Sequence, residues 1–506
     1  MKKNKKILVF LVSVFMFFGL LNVSAINTGS TNGTIDTGSK IITDKATLTI
    51  NDVVSGDQLS AYKVLDAYYN ASTYIITYQF TNDFQKFLSS SSEYRDLTVD
   101  DLYKYDSGSI STGSTLSTSK IDKLASAYAG YVKKNSVSGT ALNVSGTTAS
   151  AQLDAGSYLV IPTQTLRVYA VMFGNLDYTA SGNDWVINNE TIVAKVSDAG
   201  VTKSVGEEQM DSGSYSLGDD VPFIVTATVP KYPTNATNKK YVIKDTVTAG
   251  LTFNGVQSVI VHDGAETLTT ASNGNVTNDS GEQVATVNIS GQTLTITFNV
   301  DYINSTSITI NYSAKLNASA GLGANGGNSN SVSLEYSNDP YGNGSYTTVP
   351  SDGNGKVDVY MYGLEIYKFD PNEGSAIALQ NAEFTIYKDR DLNNDITTIK
   401  TNSSGIAQYA GLGAGTYYVK ETKAPTGYVL DNTIHEIQIG PSGNLDPADT
   451  EGYYRLDVSN QKAGLLPVTG SAGTIILVVL GLLIIGGAVY FFGFYKKNKK
   501  QEEQTI

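Results

Sequence analysis

Most of the chain alternates apolar and polar residues with a period of two. The stretches 46–50, 221–228, 293–298 and 307–312 are clear examples between turns rich in Gly, Asn and Ser. Such alternation turns one strand face to a core and the other to solvent, as in β-sandwiches. Residues 119–134 carry the best helical pattern. The pattern therefore predicts an all-β chain of tandem β-sandwich domains, with a partly helical insert in the first domain.

The pattern divides the exported part of the chain into three blocks. We define the first block as residues 26–195, the middle block as 196–357 and the final block as 358–463. Residues 350–355 have the composition of a turn and lie just before the last boundary. No repeat of 20–50 residues is visible, which argues against a solenoid.

The N-terminus has the layout of a signal peptide. Four lysines come first, an apolar run covers residues 7–21, and small residues follow at 23–25. This order predicts cleavage after residue 25 and export.

The C-terminus has a different layout. The pentapeptide Leu466-Pro467-Val468-Thr469-Gly470 precedes an apolar stretch and a group of lysines. An apolar stretch of about 20 residues followed by a basic tail predicts a transmembrane helix within residues 471–506.

Composition excludes several classes of function. The 506 residues include no cysteine, so disulfides and cysteine-based zinc sites are ruled out. There are two histidines, which leaves few residues from which a histidine-based catalytic site could be built. A net charge of −13 argues against nucleic acid as a partner. We expect no cofactor and no metal, although residues 389–395 begin like a calcium loop. A polar hairpin tip is the favoured interpretation of that segment.

The pentapeptide at residues 466–470 resembles the LPxTG sorting signal of Gram-positive surface proteins. The resemblance implies that a sortase cleaves between Thr469 and Gly470 and transfers the Thr469 carbonyl to an amine. It also implies a secreted, cell-wall-anchored product with peptidoglycan as a partner.

The final block contains Tyr417-Tyr-Val-Lys-Glu-Thr-Lys-Ala-Pro-Thr-Gly-Tyr428. This segment resembles the E-box, YxLxETxAPxGY, of collagen-adhesin B-type immunoglobulin-like domains in Gram-positive pilins. The resemblance implies a Lys–Asn isopeptide bond with Lys368 as nucleophile, Glu421 as acid and Asn460 as acceptor. Lys388 is a possible alternative to Lys368.

The implied chemistry requires burial. An exposed lysine is an ammonium ion and cannot attack, whereas burial lowers the pKa of a lysine and raises that of a glutamate. A neutral Lys368 can then attack the Asn460 carbonyl, while a protonated Glu421 hydrogen-bonds that carbonyl and relays protons as ammonia leaves.

The middle block shows a similar order of residues and resembles the collagen-adhesin A-type pilin domain. The resemblance implies a second bond, with these roles: Lys203 as nucleophile, Asp245 as acid and Asn330 as acceptor. Alternatives remain open, namely Asn328 for the acceptor and Asp219 or Asp220 for the acid. In the first block, Lys63 with Asn188 or Asn189 is a weaker candidate for a further bond.

A lysine between the first and middle blocks is a candidate for joining subunits. Backbone pilins carry a lysine in a motif of the form WxxxVxVYPK, and here Trp185 precedes Lys195 by ten residues, with Ala194 in place of proline. The resemblance implies that Lys195 accepts Thr469 of the next subunit. Lys231 is the second candidate.

These features predict a structural protein and not an enzyme: the shaft subunit of a covalently polymerised pilus. Its expected partners are a sortase, other copies of the chain, accessory pilins, peptidoglycan and a possible host ligand. The alternative is a minor or basal pilin, or a stand-alone wall-anchored adhesin. A functional junction lysine distinguishes the shaft subunit from these alternatives, because only an internally linked subunit needs one.

Overall fold

The computed structural model describes residues 38–72, 75–106, 117–181, 184–233, 236–342, 346–349, 355–372, 377–440, 452–463 and 474–502. The predicted signal peptide and the pentapeptide at 466–470 therefore lie outside the described residues. The chain divides into two compact units, which are interleaved in sequence. Of the described residues, the first unit comprises those in 38–212, 220–315 and 329–358, and the second comprises those in 213–219, 316–328 and 359–502.

The described part of the first block combines two larger sheets, two two-stranded sheets and three helices. Thr81 and Ser117 cap two of the helices, since their hydroxyls accept hydrogen bonds from the backbone N–H groups of Phe84 and Lys120. The helices are α1 (Asn82–Ser90), α2 (Val99–Asp106) and α3 (Thr118–Asn135). The strands are β1 (Lys40–Ile41), β2 (Lys45–Asn51), β3 (Gln58–Asn70), β4 (Ile75–Phe80), β5 (Thr140–Ala141), β6 (Asn143–Ser145), β7 (Thr148–Asp154), β8 (Gly156–Gln164), β9 (Val168–Tyr169), β10 (Met172–Leu176), β11 (Tyr178–Ser181), β12 (Asp184–Ile187) and β13 (Glu190–Val193). Strand β14 (Val196–Ser197), at the start of the middle block, pairs with β9.

The first-block sheets bury two clusters. A six-stranded sheet has the order β1-β3-β8-β10, with β4 and β5 paired to β3, and a four-stranded sheet has the order β13-β2-β7-β6. One cluster lies where the helices cover a sheet and includes Phe84, Tyr128 and Leu159. The other includes Leu48 and Val160. The predicted helical insert is thus present, and α3 covers residues 119–134.

The middle block is a sandwich of two sheets. Their orders are β15-β17-β25-β20-β21, with β19 paired to β25, and β16-β28-β26-β18-β24-β23-β22, with β27 paired to β26. Short 3₁₀ turns occupy Val256–Ser258, Val300–Tyr302 and Ala324–Gly326. The strands are β15 (Gly200–Val205), β16 (Ser212–Ser214), β17 (Asp220–Thr228), β18 (Tyr241–Val247), β19 (Leu251–Phe253), β20 (Ile260–Asp263), β21 (Glu266–Thr269), β22 (Asn275–Thr277), β23 (Gln283–Ser290), β24 (Thr293–Phe298), β25 (Ser307–Leu316), β26 (Ser329–Ser337), β27 (Tyr346–Val349) and β28 (Lys356–Tyr360).

The final block is a smaller sandwich. One sheet has the order β30-β29-β33, with β36 parallel to β29, and the other has the order β32-β31-β34-β35. Its core contains Leu364, Phe384 and Val419. The strands are β29 (Tyr362–Asp370), β30 (Ile377–Ala378), β31 (Glu383–Tyr387), β32 (Asp395–Lys400), β33 (Ile406–Leu412), β34 (Gly415–Lys423), β35 (Ile434–Ile439) and β36 (Tyr453–Ser459). The all-β prediction is confirmed, whereas the exact block boundaries stay a prediction.

A fourth helix, α4 (Thr474–Glu502), ends the described chain. The sequence predicts a transmembrane helix in this region. Within the described residues, however, no helix has both the length and the apolar character needed to cross a membrane. The predicted span stays a prediction.

Candidate cross-linking sites

Three polar side chains meet inside the final block. Lys368 lies on β29 opposite Val458 of the parallel strand β36, and Asn460 follows the end of β36. Glu421 lies on β34 in the opposite sheet. The lysine and the asparagine thus come from neighbouring strands, and the glutamate reaches them across the core.

The distances in this site are those of direct hydrogen bonds. Lys368 Nζ lies 2.6 Å from Asn460 Oδ1 and 3.2 Å from Glu421 Oε1. The amide nitrogen of Asn460 donates to Glu421 Oε1 at 3.0 Å and to Oε2 at 3.2 Å. The Glu421 carboxylate therefore touches both the nitrogen that would attack and the nitrogen that would leave.

The site is buried in the core of the final block. The side chains of Lys368 and Glu421 are fully buried, and Asn460 is 3% exposed. Burial lowers the pKa of Lys368, and this effect exceeds the opposing effect of the Glu421 charge. Lys368 Nζ also lies 5.3 Å from the centre of the Phe384 ring. The backbone N–H of Asp431 donates to Glu421 Oε2 at 2.6 Å and holds the carboxylate in place. The environment thus favours the neutral amine.

The alternative nucleophile, Lys388, lies elsewhere. It is exposed next to the β31–β32 hairpin, where its backbone N–H donates to the carbonyl oxygen of Asn394. In the same hairpin, the backbone N–H groups of Asn393 and Asn394 donate to the Asp389 carboxylate. That carboxylate closes a turn, as expected for a polar hairpin tip.

The middle block also brings its predicted residues to one place. Lys203 lies on β15 of one sheet, and Asp245 and Asn330 lie on the neighbouring strands β18 and β26 of the other. Lys203 Nζ lies 2.5 Å from Asp245 Oδ2. All three residues are buried, with exposures of 5%, 1% and 0%. Burial lowers the pKa of Lys203, against the opposing effect of the Asp245 charge.

A fourth residue, Tyr312 on β25, completes this site. Its hydroxyl oxygen accepts a hydrogen bond from Lys203 Nζ and a second one from the Asn330 amide nitrogen at 2.9 Å. Asp245 Oδ1 and Asn330 Oδ1 are buried without a hydrogen-bond partner. Sequence reasoning gave Tyr312 no role. The available signal was its inward position in an alternating strand, because a buried tyrosine hydroxyl requires a partner.

The alternatives in the middle block make other contacts. Asn328 hydrogen-bonds the backbone of Gly321 and Val359. Asp219 accepts the backbone N–H of Ser216, and Asp220 accepts a hydrogen bond from Asn254 at the surface. None of these three contacts Lys203 in the described structure.

The first block does not bring its weak candidates together. Lys63 Nζ pairs with Asp66 Oδ1 at 3.0 Å. Asn188 donates to the carbonyl oxygen of Asp177, and the side-chain oxygen of Asn189 accepts the backbone N–H of Thr47. No described contact joins Lys63 to either asparagine.

Both candidate junction lysines are exposed. The side chain of Lys195 is 62% exposed, and its Nζ lies 3.6 Å from Asp122 Oδ1 of α3. Its carbonyl oxygen accepts the backbone N–H of Ala170, which fixes the backbone. Lys231 is near the same junction, because its backbone N–H donates to the Ser197 hydroxyl at 2.8 Å. Geometry alone therefore does not separate the two lysines.

The first and middle blocks contact each other within the first unit. The hydroxyl of the buried Tyr341 lies 2.8 Å from the Ser126 hydroxyl of α3, and Lys133 of α3 pairs with Asp339. The hydroxyl of Tyr336 donates to the Leu166 carbonyl oxygen. These contacts join the two blocks.

Three family models match consecutive parts of the chain. Residues 217–340 match a Gram-positive pilin backbone subunit 2, Cna-B-like domain. Residues 363–451 match a prealbumin-like fold domain, and residues 458–503 match an LPXTG cell wall anchor motif.

Two curated relatives are surface or fimbrial proteins. The trypsin-resistant surface T6 protein of Streptococcus pyogenes serotype M6 is 31% identical over 264 residues, which cover 49% of this chain and 47% of the relative. The chain thus aligns with about half the length of that relative. The fimbrial subunit type 2 of Actinomyces naeslundii is 25% identical over 65% of this chain and 67% of the relative.

Two solved pilins share the fold. The T6 backbone pilin of serotype M6 Streptococcus pyogenes, a modular three-domain structure, has a TM-score of 0.60 at 23% identity, covering 78% of this chain and 80% of that one. The full-length major pilin SpaD from Corynebacterium diphtheriae has a TM-score of 0.51 at 17% identity, covering 83% and 98%. The chain thus contains a segment that matches a Gram-positive pilin backbone domain and one that matches an LPXTG cell wall anchor motif, and it shares its fold with solved pilins.

Proposed function

We propose that this chain is the shaft subunit of a covalently polymerised, cell-wall-anchored pilus, stiffened by internal Lys–Asn isopeptide bonds. The observation that carries the proposal is the buried contact of Lys368, Glu421 and Asn460. Keeping a lysine charged in an apolar core is costly even beside a carboxylate, and burial lowers the pKa of Lys368, which favours the neutral amine that the bond requires. The match to a pilin backbone domain supports the same function.

In the final block the bond forms between Lys368 Nζ and the side-chain carbonyl carbon of Asn460. The neutral amine attacks, and the Glu421 carboxylate takes a proton from the attacking nitrogen. The same carboxylate delivers a proton to the amide nitrogen, which leaves as ammonia. The 3.2 Å and 3.0 Å distances to the two nitrogens allow one carboxylate to serve both.

The middle block forms the equivalent bond between Lys203 and Asn330. Asp245 receives the lysine proton over 2.5 Å, so that the amine is neutral when it attacks. This bond joins the two sheets of the sandwich, whereas the bond in the final block joins neighbouring strands of one sheet.

The bonds are tested by mass analysis of the full chain. The wild type should lack two molecules of ammonia relative to its calculated mass. Glu421→Ala and Asp245→Ala should each restore one, and peptide mapping should locate the remaining link. A wild type of full calculated mass would rule out both bonds.

Polymerisation joins Thr469 of one subunit to Lys195 of the next through a sortase. The exposed Lys195 amine is held by one ion pair at 3.6 Å, which costs little to break. A link between a C-terminal tail and a junction lysine repeats without closing, and this produces a fibre.

The shaft function is tested on denaturing gels of cell-wall fractions. The wild type should give a high-mass ladder, and Lys195→Ala should leave only wall-attached monomer because the sorting signal is intact. Lys231→Ala is the matched control, since it removes an exposed lysine near the same junction. A ladder that survives Lys195→Ala but not Lys231→Ala would reassign the lysine. A single wild-type band would identify a minor pilin or adhesin instead.

A further inference from the structure

Tyr312 occupies a position in the middle block that matches that of Glu421 in the final block. The Tyr312 oxygen contacts the nitrogen of Lys203 and the amide nitrogen of Asn330. The Glu421 carboxylate contacts the nitrogen of Lys368 and the amide nitrogen of Asn460. In each block, one oxygen-bearing side chain bridges the lysine and the nitrogen that must leave.

The acid of the middle block makes only half of these contacts. Asp245 contacts Lys203, and no described hydrogen bond joins it to Asn330. Aspartate is one methylene shorter than glutamate, so its carboxylate reaches less far from the backbone. The Tyr312 hydroxyl spans the remaining gap between the two reacting groups.

We propose that the Tyr312 hydroxyl is the proton relay for bond formation in the middle block. There Asp245 and Tyr312 together carry out the proton transfers that Glu421 carries out alone in the final block. The inference rests on the proposed function, since it concerns the Lys203–Asn330 bond.

The relay conserves atoms and charge. Asp245 first takes one proton from the Lys203 ammonium. The neutral amine then attacks the side-chain carbonyl carbon of Asn330 and forms the new C–N bond. The Tyr312 hydroxyl passes its proton to the amide nitrogen and receives one from the lysine nitrogen. The old C–N bond breaks, ammonia leaves, and Tyr312 ends as the phenol it was.

The surroundings of Tyr312 fix the position of its ring and keep its hydroxyl protonated. Its ring stacks on Phe223 at 5.6 Å and contacts Phe253 at 5.9 Å. Burial and the nearby Asp245 charge raise the pKa of Tyr312 well above its ordinary value. The group therefore stays protonated and serves as a donor and acceptor in a concerted transfer, not as a free phenolate.

The test is Tyr312→Phe in the full chain. This change removes the hydroxyl and keeps the ring contacts. Peptide mass mapping, at successive times after a pulse of synthesis, follows the Lys203–Asn330 link and the Lys368–Asn460 link separately. We expect the first link to form on the order of 10²-fold more slowly, in line with general acid–base catalysis. The second link should form at the wild-type rate.

Tyr241→Phe is the matched control. Tyr241 is a buried tyrosine of the same block, and its hydroxyl donates to the Thr228 carbonyl oxygen at 2.8 Å, away from Lys203. This variant should form both links at the wild-type rate, and circular dichroism should show that both variants are folded.

Three results would overturn the relay. The first is an unchanged rate in Tyr312→Phe, and the second is an equal delay in Tyr241→Phe. The third is loss of the folded state in Tyr312→Phe, which would make the phenol a packing group. If the wild type itself lacks the Lys203–Asn330 link, the proposed bond fails, and the relay fails with it.

Discussion

The middle and final blocks place the same kinds of residue in different positions. In the final block the lysine and asparagine belong to neighbouring strands, and Glu421 approaches from the opposite sheet. In the middle block Asp245 and Asn330 share a sheet, and Lys203 approaches from the opposite one together with Tyr312. Both blocks therefore bury a lysine, an acid and an asparagine close together, although different strands and sheets carry them.

The acid side chain differs for a related reason. Glu421 contacts both nitrogens of its site, whereas Asp245 contacts the lysine nitrogen and has no described hydrogen bond to the asparagine nitrogen. The shorter aspartate therefore requires a second side chain that contacts the asparagine nitrogen, and in the middle block this side chain is Tyr312. The final block has Phe384 near its lysine and no tyrosine hydroxyl among the described contacts of Lys368.

The largest expected effect is on stability. Lys368 and Asn460 are 92 positions apart, and a link over such a loop stabilises a fold by roughly 4–5 kcal/mol in the chain-entropy treatment of disulfides. The Lys203–Asn330 loop, of about 130 residues, gives nearly the same value. Glu421→Ala and Asp245→Ala should thus lower the free energy of unfolding of their own blocks by similar amounts, measured by chemical denaturation.

Glu383→Ala is the control for this experiment. Glu383 lies on β31 of the final block and forms an exposed ion pair with Lys423 at 2.9 Å. Loss of this ion pair should lower the free energy of unfolding by less than about 1 kcal/mol. If all three variants were equally stable, the bonds would have no stabilising role.

The second prediction concerns the length of the acid. Glu421→Asp shortens the side chain, so the carboxylate should lose its contact with either the Lys368 nitrogen or the Asn460 amide nitrogen. No tyrosine hydroxyl among the described contacts of Lys368 can replace the lost contact. Formation of the Lys368–Asn460 link should slow on the order of 10²-fold, measured by peptide mass mapping. Glu383→Asp makes the same chemical change on a half-buried residue outside the site and should have no effect. An unaltered rate in Glu421→Asp would remove the distinction between the two sites.

A smaller effect is expected when the pH changes. Asn330→Ala leaves Lys203 buried and unlinked, with a pKa below the ordinary lysine value of 10.5. Between the lowered pKa and 10.5 the unfolded state binds more protons than the folded state, so the stability of this variant should rise with pH. The slope should not exceed about 1.4 kcal/mol per pH unit. Thermal denaturation over this range measures it.

The control for the pH effect carries Lys203→Met together with Asn330→Ala. Without the buried amine, stability should lose this part of its pH dependence. If the two proteins follow the same pH profile, the burial of Lys203 has no consequence for its ionisation.

The smallest effect is expected for Tyr241→Phe. This change removes one buried hydrogen bond, to the Thr228 carbonyl oxygen, and should cost about 1 kcal/mol. Calorimetry should show a slightly lower melting temperature while mass mapping shows both links complete. Loss of the Lys203–Asn330 link in this variant would mean that the site responds to any disturbance of the middle core.

The sequence alone determined the fold class and much of the site. Alternating strands and one helical segment predicted the all-β chain with its helical insert, because burial of one strand face demands period-two patterning. The E-box resemblance led to Lys368, Glu421 and Asn460, which the fold brings into contact. Their chemical roles stay a prediction.

Only the tertiary structure decided which groups share the interior of the middle block. Asn328 and Asn330 are two positions apart, yet one hydrogen-bonds the backbone of Gly321 and the other contacts Tyr312. Tyr312 itself lies 109 positions from Lys203 in the sequence. Spacing along a chain does not encode which side chains of two opposed sheets meet, because that depends on strand order and on how the sheets pack.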